Sequence, residues 1–440
     1  MKRSEKKSLS RCAPLLMLAA ALLCVLALAV FGGGAPRAET PAPSELPVSM
    51  EALPSPEVLR IAVASDTHLD PDNTDRSGSV SETVYNLEIV DAMLWDAREQ
   101  GAALLLITGD LCNSGKENKH AALVEKLRAA EQTGLAVYVL PGNHDLAPIR
   151  QTDFARLYAD FGFDEAYSRD PASLSYCVIR DGLMLLMMDT AGYGAGAIDL
   201  PGAAGRDNNE AFFSEETLRW AEELLRKAQE EGLFVLTAGH YNLLPEISHQ
   251  PGSGYYVENG DRFAALLRQY GVPLYLSSHM HTRAVYEESG LTELLTECLI
   301  AYPTGYSLLD LAEDSLRVAP RRVDVDAWAA RTGQTDPVLL HFADWQEQAM
   351  QAYCRTTVES MAKRSPLTEQ EQDAAADFFY TVMRAYWDGT LPSRAETLRA
   401  AAGYAPFFRC AEGYSYGWWL KDLMENASPK LAGFTLQIEP

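Results

Sequence analysis

The chain has 440 residues, of which 22% are charged and 47% hydrophobic, and carries a formal net charge of -24 at pH 7. That length exceeds what a single core supports and the composition is globular, so two folded parts behind a leader are expected rather than a disordered or fibrous chain. The acidic balance, with no Lys/Arg cluster beyond the first eleven residues, excludes partners held by a basic surface, namely nucleic-acid polymers and anionic membranes.

Lys2, Arg3, Lys6, Lys7 and Arg11 precede an unbroken apolar run from Leu15 to Phe31. Residues 1–31 therefore read as an export signal, of a length that suits either a cleaved signal peptide or a retained membrane anchor. Cys24 follows Leu22-Leu23 and lacks the small residues of a lipoprotein cleavage site. Residues 32–57, rich in Pro and Ala with no hydrophobic period, are expected to be a flexible linker. The protein is thus expected outside the cytoplasm, secreted or anchored to the outer face of the cell membrane, and touching the membrane only through its N-terminal segment.

The first strand is predicted at 58–64 and ends in Asp66-Thr-His68, whose two side chains would leave an extended backbone on the same side. Ser79 and Glu82 predict a capping box for a helix running to about residue 99. A second strand, 103–108, ends at Gly109-Asp110, and Ser114 with Glu117 predicts a box for a helix stopping near Gly134. A third strand, 136–140, ends in Pro141-Gly-Asn-His-Asp145. Strand, motif and helix repeated in this way describe an α/β protein whose site lies beyond the carboxyl ends of its strands. Leu183–Asp189 reads as a further strand, with Asp189 placed either to cap the following loop or to touch the site. The Gly-rich stretch from Gly192 to Gly205 is long enough to be substrate-facing or mobile. Ser214 and Gly232 bound an amphipathic helix; strands at 233–239 and 273–277 then deliver His240 and Ser278-His-Met-His281, with a helix at 261–270 between them. Short strands from 284 to 318 suit an antiparallel second sheet.

The catalytic part is therefore drawn at 58–322. Beyond it the pattern turns helical, and 323–440 is expected to be a helical domain. Phe342, Trp345, Ala349 and Tyr353 fall at helical spacing, Thr368 and Glu371 box a helix bearing Ala375, Phe379, Val382 and Tyr386, and two shorter helices are predicted at 393–402 and 416–425. His341, alone on a helix, reads as a surface or packing residue. The aromatic excess of this region is assigned to docking on the catalytic part, or to a cleft wall that could stack on a base. Of the seven cysteines none forms Cys-x-x-Cys, which argues against structural zinc; Cys354 and Cys410 could pair or remain buried thiols.

Five of the eight histidines lie in the strand-end motifs. The ordered set Asp66-x-His68, Gly109-Asp110, Gly142-Asn-His-Asp145, Gly239-His240 and His279-x-His281 resembles the calcineurin-like metallophosphoesterase superfamily over about residues 58–320. The resemblance implies a four-layer α/β/β/α sandwich and two divalent ions, one held by Asp66, His68, Asp110 and His281, the other by Asp110, Asn143, His240 and His279. Carboxylate, imidazole and amide donors suit Mn, Fe or Zn alike. Such a pair holds a bridging hydroxide ready at neutral pH and neutralises phosphoryl oxygens during in-line displacement. His144, not a ligand in the family, is assigned to protonating the leaving oxygen or stabilising the equatorial ones, and Asp145 to orienting its loop. Two departures stand out: Ser278 replaces the family's usual Gly, and Cys112, where relatives often carry Thr, either approaches the metals or packs as a small apolar residue.

The layout, a phosphoesterase part followed by a helical one, further resembles bacterial class III cyclic-nucleotide phosphodiesterases. The expected function is an exported dinuclear-metal hydrolase of a small phosphodiester. The alternatives are a phosphomonoesterase or phosphodiesterase acting on other extracellular nucleotides, wall polymers or lipid headgroups, and a binding module without turnover.

Overall fold

Leu59–Ala64 form strand β1 because an uninterrupted apolar run can be buried on both faces, and Ile61, Ala62, Val63 and Ala64 are all fully buried. Each buried Ile or Val contributes about 1.5–3 kcal/mol. A computed structural model describes residues 58–73, 85–146, 148–191, 197–200, 211–244 and 254–438. The export signal, the linker, the Ser79/Glu82 box and most of the Gly192–Gly205 stretch lie outside these residues. Among the described residues no helix is long and apolar enough to cross a membrane.

Two sheets make up the mixed α/β body. In the first, β1 lies between β2 (Leu104–Ile107), which is parallel to it, and β11 (Gly305–Leu311), which is antiparallel; β3 (Ala136–Val139) extends one side, β12 (Ser315–Arg322) and β13 (Phe434–Gln437) the other. The second has seven strands in the order β4 (Ser168–Arg169), β5 (Tyr176–Arg180), β6 (Leu183–Met187), β7 (Phe234–Ala238), β8 (Leu274–Ser277), β10 (Leu291–Leu295) and β9 (Ala284–Glu288). Strands β6, β7 and β8 run parallel to one another. The first sheet thus presents the carboxyl ends of three parallel strands, β1, β2 and β3, and the second those of β6, β7 and β8, and the side chains of the motifs meet there.

Helix α1 (Asn86–Glu99) is pinned to the first sheet through Asp96, whose carboxylate accepts from Arg321 Nε and Nη2, both at 2.7 Å, and from Tyr306 Oη at 2.8 Å. Next come α2 (Glu117–Glu131) and α3 (Gln151–Leu157). Helix α4 (Glu215–Glu231) starts where Ser214 accepts from the Thr217 amide and stops at left-handed Gly232, as its sequence signals require. Helix α5 (Gly260–Gln269) precedes β8.

Several expectations change. No capping box starts α2: Ser114 is left-handed (φ 66°) within a 3-10 turn, and the N-cap is Lys116 with no side-chain bond. The strands from 284 onward do not build a separate antiparallel sheet. β9 and β10 complete the second sheet, with β10 parallel to β8, whereas β11 and β12 return to β1. Strand alternation reports a half-buried face, not which neighbour covers the edge. Strand β5, unrecognised in the sequence, pairs with β6.

The C-terminal region comprises α6 (Val325–Thr332), α7 (Phe342–Ala362), α8 (Glu369–Trp387), α9 (Leu391–Arg399), α10 (Tyr404–Cys410) and α11 (Ser415–Asn426). The Thr368/Glu371 capping box is present at the start of α8. Phe342 and Trp345 pack edge-on against Tyr85, with ring centroids 6.3 and 5.6 Å away, which is docking against the start of α1. His341 is exposed. Cys354 and Cys410 are free, buried thiols. The region is not wholly helical, since β13 closes the edge of the first sheet beside β12.

Candidate active site

Three features shape the ends of β1–β3. Past β1 the chain does not stay extended: Asp66 (φ 51°) and His68 (φ 36°) are left-handed, and the amides of Asp66 and His68 reach the carbonyls of Gly109 and Asp110 at 3.0 and 2.9 Å. The expected reason for their convergence, same-side projection from a strand, is thus replaced by a turn bonded to the end of β2. Gly109 has φ 106°, and a β-carbon on it would come within 2.5 Å of His240 Nδ1. At Gly142 a β-carbon would sit 2.1 Å from Asp110 Oδ1. Both positions demand glycine, because they let the β3 loop and the β7 histidine close onto Asp110.

Asp145 ties this loop down by accepting from the amides of Leu111 (3.1 Å), Cys112 (2.9 Å) and Gly142 (2.8 Å). Cys112 is buried and its Sγ lies 4.0 Å from Tyr158 Oη, so it packs behind the site. His120 behaves likewise, bonded to Tyr158 Oη at 2.8 Å and to the Asp145 carbonyl at 3.1 Å. Cys112, His120 and Asp145 come within metal-ligand spacing of one another, yet these hydrogen bonds already use the carboxylate and both ring nitrogens.

Side-chain donors at the strand ends form two groups with Asp110 in common. Ligand atoms of Asp66, His68, Asp110 and His281 lie within 4.8 Å of one another, as do those of Asp110, His240 and His279. Asn143 joins the second group, its Oδ1 being 3.3 Å from His240 Nε2. All seven residues singled out as ligands are therefore brought together. His144 stands at the mouth with 44% of its side chain exposed, its amide donating to Asp110 Oδ1 at 2.9 Å and its ring edge-on to His68 at 4.9 Å.

This arrangement fits cations. Both carboxylate oxygens of Asp66 are buried without a hydrogen bond of acceptable geometry, and His68 Nε2 and His281 Nε2 face each other at 3.1 Å. A buried carboxylate whose Oδ1 has only the His281 and His68 ring nitrogens near it, at 3.2 and 3.7 Å, is costly unless a positive charge is shared among them. Burial by itself would raise the Asp110 carboxyl, but His240 and then His68 hold it below its ordinary value; Asp66 is likewise held well down, against burial, by His281. Burial pushes His279 down to about 4, leaving it neutral and able to ligate. For His240 burial acts downward, but Asp110 overrides it and holds the imidazole up at about 9.

The supports of these ligands were partly missed in the sequence. Thr190 Oγ1 accepts from the amides of His240 and Tyr241, both at 2.9 Å, while the adjacent Asp189 accepts from Leu174 and Ala191 amides. His279 Nε2 bonds the Gly254 carbonyl at 3.0 Å, which leaves Nδ1 to coordinate, and Tyr241 stacks on its ring at 4.1 Å. Glu293 on β10 accepts from Ser277 Oγ (2.6 Å) and from the amides of Leu243 and Leu244, fixing the segment after His240. Cys298 Sγ, within ligand spacing of His68 and His281, donates to the Asp66 carbonyl at 3.2 Å. No motif marks either residue: Glu293 reaches Ser277 and the segment after β7 from another strand of the same sheet, and Cys298 reaches the Asp66 carbonyl from the segment after β10.

The profile of calcineurin-like phosphoesterases matches residues 59–283, and that of the C-terminal domain of cyclic nucleotide phosphodiesterase matches 324–428. No curated protein sequence matches the chain. Among solved structures, a dimetal phosphatase from Danio rerio is 12% identical, covering 60% of this chain and 96% of its own, with a TM-score of 0.48. The purple acid phosphatase of yellow lupin (Lupinus luteus) seeds is 13% identical with a TM-score of 0.42; it covers 60% of this chain, which spans only 52% of the lupin protein. The first profile spans more than half of the sequence and ends two residues beyond His281, so that every strand-end motif falls within it. On that match the chain belongs to the calcineurin-like phosphoesterase family and is a metal-dependent phosphoester hydrolase.

Proposed function

We propose that this protein is an exported phosphodiesterase that binds two divalent ions and hydrolyses a cyclic nucleotide. The observation that carries the substrate class is the match of residues 324–428 to the C-terminal domain of cyclic nucleotide phosphodiesterase. The apolar run at residues 15–31 behind a basic start supports export.

Asp66, His68, Asp110 and His281 would hold one ion, and Asp110, Asn143, His240 and His279 the other, as Mn, Fe or Zn. When bound, such a pair supplies an activated water and charge neutralisation for the phosphoryl group. Asp110 would serve both positions from one carboxylate, and Asn143 would add an oxygen donor without charge. His144 meets the substrate from the open side, where its half-exposed ring can give a proton to the departing oxygen.

The test is turnover by the purified full chain, reconstituted with Mn2+, on cyclic nucleotides, nucleoside monophosphates and phospholipid headgroups in parallel. Cyclic nucleotides should be cleaved with the highest kcat/KM. A preference of tenfold or more for a monoester or a headgroup ester overturns the substrate class while leaving the phosphoesterase intact.

A further inference from the structure

Two of the residues assigned as ligands, His279 (φ 72°) and His281 (φ 55°), hold left-handed backbone conformations that only glycine adopts without strain. A loop of this kind keeps its shape only if its surroundings hold it at both ends. Its front end is tied to the catalytic sheets, through Ser278, whose amide donates to the His240 carbonyl at 2.9 Å. Its rear end is held differently. Arg283, two residues past His281, is 2% exposed, and its Nη1 donates to Ser307 Oγ at 2.6 Å and to Glu297 Oε2 at 3.4 Å. The remaining bonds come from far along the chain: Tyr386 Oη donates to the Arg283 carbonyl, and Arg283 Nε donates to the Leu431 carbonyl at 3.3 Å.

The two distant partners are themselves joined. Just past α8, left-handed Gly389 lies so close to the 3-10 turn Pro429–Ala432 that a β-carbon would come within 2.4 Å of the Ala432 amide nitrogen. Lys430 pairs with Glu287 on β9, which starts directly after Arg283. The end of α8 and the last turn thus form one clasp around the segment that leaves the histidine loop.

We propose that Arg283 is a positioning residue through which the C-terminal region holds His279 and His281 in their ligating geometry, so that this region is part of the metal-site scaffold. The inference rests on the two-ion reading given above. It assigns to the C-terminal region a task at the site although the region supplies no ligand.

The experiment is calorimetric titration of metal-free full-length protein with Mn2+, comparing wild type with Tyr386→Phe and Tyr353→Phe. Tyr386→Phe keeps the ring and loses only the hydroxyl on Arg283; Tyr353→Phe removes a hydroxyl that meets Tyr416 within the helices. Tyr386→Phe should weaken Mn2+ binding about tenfold, the lower end for outer partners of a metal ligand, and shift the absorption spectrum of the Co2+-loaded protein. Tyr353→Phe should lower the melting temperature without changing Mn2+ affinity or that spectrum. Wild-type affinity in Tyr386→Phe, or equal weakening in both variants, overturns the proposal and leaves the two-ion reading standing. A wild type that binds fewer than two Mn2+ overturns that reading and the proposal together.

Discussion

Ser278 Oγ lies 3.0 Å from Nδ1 of His240, and both atoms reach the Thr108 carbonyl at 2.9 Å. The hydroxyl is buried and closes a triangle that fixes the ring and turns Nε2 toward Asp110, 3.4 Å away. A glycine, usual here in the family, has no group to do this, and the left-handed residues of the loop are His279 and His281 rather than Ser278. The β-carbon therefore fits without distorting the turn.

Ser278→Gly should consequently weaken the ion held with His240 by about tenfold, as loss of an outer partner of a ligating histidine does. Calorimetry on metal-free protein reads this directly, and unchanged affinity would reduce Ser278 to a filler of space.

Asp110→Asn should abolish turnover and bring bound metal below two ions per chain. An amide oxygen carries no charge, whereas this carboxylate faces His68, His240 and His144 nitrogens at 3.7, 3.4 and 4.0 Å. Elemental analysis after dialysis, alongside kcat, checks it; full metal content with near wild-type turnover would remove the shared role of Asp110.

His144→Ala should keep both ions and lose roughly 10²- to 10⁴-fold in kcat, the scale of a positioned proton donor. The ring touches the cluster only edge-on, and the backbone amide that binds Asp110 survives the substitution. The loss should shrink on a nitrophenyl ester, whose leaving group departs without a proton. Equal losses on good and poor leaving groups would leave only electrostatic stabilisation.

Metal binding should release protons. His240 is held up at about 9 in the metal-free protein, so near pH 7 it carries a proton that coordination must displace, whereas His279, at about 4, carries none. Affinity for the ion on His240 should therefore rise by up to about tenfold per pH unit from 7 toward 9 and level off above it. Titrations in buffers of different ionisation enthalpy should report about one proton released at pH 7; none released would place His240 already neutral.

The site was more legible than the fold around it. Buried parallel strands must be apolar and must end where polar groups begin, so Asp66, Asp110, Asn143, His240 and His279 stand out at the ends of hydrophobic runs. The structure brings these side chains together, with Asp66 and His68 in a left-handed turn rather than on an extended strand. What escaped was non-local. Glu293, Thr190 and Cys298 support the site from other strands and loops, and no spacing rule links Glu293 to Leu243 or Cys298 to Asp66. Ser114 resembled a cap because a capping box is defined by residue types alone, whereas here the chain takes a 3-10 turn; a β-carbon at Gly115 would come within 2.3 Å of the Asp145 carbonyl oxygen.

The pairing of β13 with β12 has a consequence for how the molecule is made. Synthesis proceeds from the N-terminus, so β12 emerges and joins β11 while its outer edge has no neighbour, and the covering strand follows only after all six C-terminal helices. Until then that edge is an open template for pairing with another chain. The first sheet of the hydrolase part is thus sealed only once Phe434–Gln437 have been added. A chain stopped near residue 322 should accordingly aggregate through that edge, and the same edge is where a holding chaperone would be needed during biogenesis.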